Sequence, residues 1–435
     1  MSERREFLKI AATGVGTLSI AGCTAFEDGN GNGNGNGNDN GDGTDSEGPS
    51  LPDTIRVGSI VAASGPYAFL GKGVNQGIQM RLDEINNSDD VLPDSEFELL
   101  TRDNEFDPSK ARQAAEELVL EEDVHVMMGG NTSTMVDAVK AFTKQEDMPT
   151  FVGVGVTEKW YGSECSDHFF GTITATPDVY GDLMGSIAVE LIDGTSTYFI
   201  FEDYQWGYLI RDGFQAGSDK YGLTIQKSKA ISLGQDDYTT ILDELESMQD
   251  QLDFVAPASV ATMGAFLRQY SQRDLDLPVM APNTLPTQLG TLTPEQLDAL
   301  PPVYTGIVNR DAAVDTPENQ EFVQRYQDEN EGRTPGYAPL GGYVVGSFMT
   351  SAIAQAGSVD AAALKDAASG ISLETLGDQF ANRECDHRPV PTLYYAKLTG
   401  IDEQSAIVER EILGKHTQSE IRERMPACED TGCSK

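Results

Sequence analysis

Positive charge is scarce in this sequence. Its 435 residues hold 30 Lys and Arg against 70 Asp and Glu, a net charge of −40. A phosphate backbone would be repelled, which excludes a non-specific nucleic-acid binder and disfavours an acidic substrate. Dense carboxylates keep a surface hydrated in strong salt, where their mutual repulsion is screened. The charge is therefore read as a halophile's surface, a matter of habitat more than of ligand. Histidine is also sparse: His125, His168, His387 and His416 lie far apart, and none has a metal-ligand spacing. Catalytic signatures are missing too. Ala62-Ala63 precede Ser64-Gly65, so there is no G-x-S-x-G elbow. Gly71, Gly73 and Gly77 lack the dinucleotide spacing, and no Walker motif occurs. No enzyme, cofactor or metal site is expected, and any ATP hydrolysis belongs to a separate subunit.

A membrane-spanning apolar run is missing as well. Ile10 to Ala21 covers about 12 residues, too few to cross a ~30 Å hydrocarbon core, and reads as the apolar part of an export signal. Arg4-Arg5 followed by Phe7-Leu8-Lys9 resembles the twin-arginine signature. Ile20-Ala21-Gly22-Cys23 resembles a lipobox, in which Cys23 becomes the lipidated first residue and anchors the chain to the outer face of the cell membrane. A short uncleaved anchor helix is the alternative. From Gly29 to Gly43, Gly alternates with Asn or Asp and can bury no apolar surface. Such a tether of about 27 residues would reach roughly 30 Å r.m.s.. The remaining cysteines, Cys165, Cys385, Cys428 and Cys433, are even in number in an exported chain, which favours disulfides. Three pairings are possible.

What the chain does contain, from Thr54 onward, is a strand–helix alternation. Ile55–Val61 is a continuous strand-like run, and Val74, Ile78, Leu82 and Ile85 recur at helical spacing. Asp107-Pro108 opens a helix with an acid at the N-cap and proline at the first helical position. After Val154 the rhythm breaks, restarting at Thr197 and continuing through Val303–Val308 and a long helix, Tyr337 to Ala356. This predicts an α/β fold with parallel sheets covered on both faces.

The order of motifs then resembles type I periplasmic binding proteins of the leucine/isoleucine/valine and amide class. The carriers are Ser64-Gly65-Pro66-Tyr67 with Phe69-Leu70-Gly71, the helix Gly77 to Asn86, Asp103 to Pro108, Gly129 to Thr134, and Tyr204-Gln205-Trp206-Gly207. The resemblance covers roughly Thr54 to Val408. It implies two Rossmann-like lobes joined by three crossover hinge strands, near Thr174–Pro177, Tyr304–Ile307 and Asp386–Pro391, with a small solute trapped between them. The expected organisation is a signal over 1–23 and a tether over 24–52. Lobe 1 then takes 53–174 plus 308–385, lobe 2 takes 175–307 plus 386–420, and a tail takes 421–435. The implied role is delivery of a branched-chain amino acid or related polar solute to the permease subunits of an ABC importer, by a chain acting as a monomer. An amide or urea receptor, or a sensor on the same fold, is the alternative.

Carried over by that resemblance, Asn131 and Ser133 would hold a ligand carboxylate or carbonyl at a helix N-terminus, where N–H groups are unsatisfied. Ser also serves there as a plain cap, and the roles coexist. Gly155 and Thr157 would receive an ammonium or amide. Trp206, in a Gly-flanked turn, is expected to be an exposed aromatic platform rather than core. Tyr67, Phe69 and Tyr337 are further aromatic candidates. Asn283 stands where amino-acid binders of this class commonly carry a Glu. A buried ammonium without a carboxylate costs several kcal/mol. Either Glu202 or Asp203 takes that role, or the ligand is an amide suited to Asn283. His387, in Cys385-Asp386-His387-Arg388, is read as a structural element of a hinge.

Overall fold

The computed structural model describes residues 51–433, apart from 66, 89–90, 130–131, 261, 283–288, 290–291, 309–311 and 403–406. The signal, the tether up to residue 50, Cys23, Asn131 and Asn283 lie outside the described residues. The first sheet is built by β1 (Thr54–Val61), β2 (Glu96–Asp103), β3 (Val126–Gly129), β4 (Thr150–Val152) and β5 (Phe169–Gly171), in the order β2-β1-β3-β4-β5. All its pairings are parallel. A parallel sheet must be covered on both faces, which explains why β1 is buried along nearly its whole length. Ile55 and Val57 point to one side, into the cluster that holds Val74 and Ile78 of helix α1 (Ala68–Asn86). Ile60 points to the other, against Ala111, Leu118 and Met135 from α2 (Pro108–Leu120) and α3 (Ser133–Gln145). Asp107 caps α2 as its side chain accepts from the N–H groups of Ser109 and Lys110.

The second lobe carries α4 (Pro177–Ile192), β6 (Ser196–Glu202), α5 (Gln205–Tyr221), β7 (Thr224–Ile231), α6 (Thr239–Met248), β8 (Phe254–Ala258), α7 (Met263–Tyr270), β9 (Val279–Ala281), α8 (Pro294–Asp298) and β10 (Val303–Val308). Its sheet runs β15-β14-β10-β9-β8-β6-β7. The strands from β7 to β10 pair parallel, and two late antiparallel strands, β14 (Leu393–Asp402) and β15 (Ile407–His416), close the other edge. Between β10 and β14 the chain returns to the first lobe as α9 (Pro317–Glu329), α10 (Tyr337–Ala356), α11 (Ala361–Ala368) and a small antiparallel sheet of β11 (Ser372–Thr375), β12 (Asp378–Asn382) and β13 (Pro389–Pro391). Helix α10 lies along α1 so closely that a side chain on Gly77 would meet the carbonyl of Pro339 at 1.9 Å. A last helix, α12 (Gln418–Arg424), occupies the segment expected as the boundary of the tail.

One apolar cluster runs without interruption from Ile55, Val57 and Phe151 of the first lobe to Phe199, Phe214 and Phe254 of the second. The lobes are therefore in contact, in a closed arrangement. Two disulfides form, Cys165–Cys433 and Cys385–Cys428.

Candidate functional site: the seam between the lobes

Ligand sites in open parallel sheets gather at the carboxyl ends of strands, where helix N-termini point. In this protein those ends meet at the seam. From the first lobe come Tyr67, at the start of α1, and the N-terminus of α3. From the second come Glu202, which ends β6, Tyr204 and Trp206 at the start of α5, and Ser259 and Val260 after β8.

Glu202 is fully buried. Its carboxylate accepts from the Tyr67 hydroxyl at 2.9 Å, the Ser259 hydroxyl at 3.1 Å and the Val260 N–H at 3.1 Å. The first of these bonds crosses the seam. Burial, then repulsion from Tyr204 and Glu202, pushes the Tyr67 phenol far above its ordinary range, so it stays a donor. Behind Glu202 the Ser259 hydroxyl bonds Thr262 at 2.8 Å, and Thr262 bonds the Tyr238 hydroxyl at 2.5 Å. Burial pushes the Tyr238 phenol up to about 12. Asp203, the other acid considered for an ammonium, is exposed and accepts from Tyr208.

The opposite wall has the other polarity. Helix α3 begins at Thr132, whose side chain makes no capping bond and whose hydroxyl is buried without a partner. Ser133 is 1% exposed, and its hydroxyl both donates to the Val156 carbonyl and accepts from the Val156 N–H, each at 3.1 Å. It ties α3 to the strand-end loop. Gly155, in that loop, has φ +87°, and a side chain there would sit 2.8 Å from the backbone carbon of Thr132. Glycine is required on both counts. Thr157 is buried one residue past Val156, at the start of a short helical turn.

Trp206 corrects an expectation. It is 7% exposed and belongs to the core, because α3 and α5 start opposite each other across the seam. The Thr134 hydroxyl reaches the Gln205 side-chain oxygen at 3.3 Å, and the Gln205 amide donates to Asp137 at 2.9 Å. A Gly-flanked turn looks exposed only until the facing lobe covers it. An aromatic chain links the remaining residues: Tyr67 lies 5.9 Å from Tyr204, which lies 6.3 Å from Trp206, while Phe69 lies 6.5 Å from Tyr67. Phe69 and Tyr337 line a cavity of about 140 Å³ with Lys72, Gln76 and Tyr326. The Tyr337 hydroxyl is 3.0 Å from that of Thr174, on the first passage between lobes. Sequence reasoning placed Thr132 and Tyr204 inside motifs without giving them a role and missed Ser259, for which the position after a strand end was the available signal.

His387 is buried, with its ring nitrogens 3.1 Å from the Phe169 carbonyl and 3.1 Å from the Ser369 hydroxyl, so it holds the last passage against β5. Among the described residues no cluster of His, Cys, Asp and Glu could hold a metal, and no helix is long and apolar enough to cross a membrane.

Residues 54–404 match the family described as periplasmic binding protein. The chain belongs to that family. It is thus a solute-binding protein of the ABC-transporter class, extracytoplasmic by family, and not an enzyme. The Leu/Ile/Val-binding protein homolog 6 of Brucella abortus (strain 2308) is 26% identical to this binding protein over 284 residues, which is 62% of this chain and 68% of the relative. Among solved structures, a solute-binding protein of Rhodopseudomonas palustris BisB5 in complex with 3,4-dihydroxybenzoic acid superposes with TM-score 0.75 at 22% identity, covering 84% of this chain and 98% of the other. An amino acid ABC transporter substrate-binding protein from Pseudomonas fluorescens Pf-5 gives TM-score 0.73 at 18% identity, covering 88% and 100%. These structural likenesses carry the fold alone.

Proposed function

We propose that the chain captures a small amino acid, of the branched-chain kind or close to it, between its lobes and presents the closed form to an ABC permease. The observation that carries this is the opposed polarity of the seam. The start of α3, with the buried and unpartnered Thr132 hydroxyl, offers donors to a carboxylate. Glu202, buried on the facing lobe, offers a negative charge to an ammonium. A zwitterion offers a group of matching sign to each wall, whereas an aromatic acid brings no positive charge to Glu202. Tyr67, Thr157 and Trp206 would close around the ligand, with Phe69 and Tyr337 at the margin, Asn131 and Ser133 at the carboxylate end beside Gly155, and Asn283 on the side of the ammonium. In this reading the chain is a monomer, divided as the sequence suggests, exported by the twin-arginine route and held to the membrane by a lipid on Cys23, with its acidic surface adapted to high salt.

The test is thermal melting of the full chain in multimolar salt against amino acids, amides including urea, and hydroxybenzoates. A ligand at 100 times its Kd adds about 2.7 kcal/mol, a shift of a few degrees. A shift with leucine, isoleucine or valine supports the reading. A shift with amides or benzoates alone would overturn it.

A further inference from the structure

The chain's C-terminal segment makes a connection between lobes that the fold does not need. From β15, on the edge of the second-lobe sheet, it enters α12 through a capping box in which Thr417 and Glu420 bond each other's backbone. Helix α12 docks on the second lobe: Arg424 pairs with Asp182 of α4 and donates to the Tyr221 hydroxyl of α5 at 2.9 Å. Desolvation pushes the Asp182 carboxyl up, but hydrogen bonds from Lys220 and Arg424 hold it below its ordinary range, so the pair is ionic at neutral pH. The segment then leaves that lobe. The Pro426 carbonyl accepts from Arg383 at 2.7 Å, and Cys428 is bonded to Cys385, both in the turn between β12 and β13. Thr431 settles on the first lobe, where a side chain on Gly162 would come within 2.7 Å of its carbonyl. Cys433 ends bonded to Cys165 in the loop before β5.

We propose that residues 417–433 form a covalent strap that limits how far the lobes open. The inference rests on capture by closure, though not on the identity of the solute. The four-residue step from Arg424 to Cys428 spans at most about 14 Å, so the second lobe cannot move far from Cys385 without undocking α12. The strap also lies beside the passage it restrains. Arg388, in that passage, pairs with Asp178 and Thr176 at the start of α4, and Asp386 pairs with Arg383. A restrained open state has less freedom to lose on closing, which raises apparent affinity.

The test uses the ligand-free full chain. In Cys385→Ser/Cys428→Ser, solution scattering should report a larger radius of gyration. Amide exchange over 132–136 and 202–207 should quicken by about fivefold or more. A second variant inserts Gly-Ser-Gly-Ser after Met425, within the Arg424–Cys428 step, and keeps both disulfides; it should open likewise, which separates restraint from stability. Scattering and exchange unchanged from the parent in the insertion variant would overturn the strap, whether or not the cysteine variant folds. Opening in both variants together with no binding of leucine would leave the strap standing and remove the amino-acid reading.

Discussion

Replacing Glu202 by Gln alters charge and little else. The Gln carbonyl can still accept from Ser259 and Val260, which share one oxygen of the native carboxylate, and the Tyr67 hydroxyl need only rotate to accept from the amide. The variant should therefore fold. Its binding should not survive. Removing one partner of a buried ion pair costs about 3–5 kcal/mol, which is roughly a 150- to 5,000-fold rise in Kd. The sequence has only two tryptophans, Trp160, which is fully buried, and Trp206 at the seam, so intrinsic fluorescence reports closure without a label. Titration of parent and variant with leucine, checked by calorimetry, gives the comparison. A Kd unchanged within about threefold, under 0.7 kcal/mol, would refute the assignment of Glu202 to the ammonium.

Further outcomes follow from the same geometry. Tyr67→Phe deletes a hydrogen bond to a buried charge, worth about 1.5–3 kcal/mol, that exists only when the lobes meet; leucine affinity should fall about tenfold or more with little change in melting temperature. Gly155→Ala places a side chain against Thr132 at φ +87° and should cost at least about 1–3 kcal/mol in urea unfolding. Glu158, whose carboxylate accepts from the Asp178 N–H at the start of α4, is held above its ordinary range by burial and then by repulsion from Asp178. The native state thus keeps that proton after the unfolded state has released it, and stability falls as pH rises through the raised value. Glu158→Gln should melt higher than the parent at pH 8, with the difference closing toward pH 4; a lower melting temperature at pH 8 contradicts this.

Much of the framework was legible because its signals are local. Strand β1, strand β10 and helix α10 fall where the apolar runs put them, and the Asp107-Pro108 start of α2 is where a cap and an N1 proline predict it. Helix α4 was not legible. It is buried nearly all round and so shows little periodic contrast. Gly181 also looks like a helix breaker, yet it lets α5 approach: a side chain there would lie 1.9 Å from the Gly213 backbone. The strands β11 to β13 are too short to show a pattern. Disulfide pairing is set by three-dimensional proximity and could not be read from spacing. At the seam, sequence could locate Glu202 at a strand end, but its complete burial depends on Tyr67, 135 positions away. Trp206 was misjudged for the same reason, since the lobe that covers it is distant along the chain.

A structure of the protein with leucine tests the central claim most directly. The carboxylate is expected within ~3 Å of the N–H groups at the start of α3 and of the Thr132 hydroxyl, with the ammonium within ~3 Å of Glu202. Leucine bound with its ammonium turned away from Glu202, or bound outside the seam, would contradict the account.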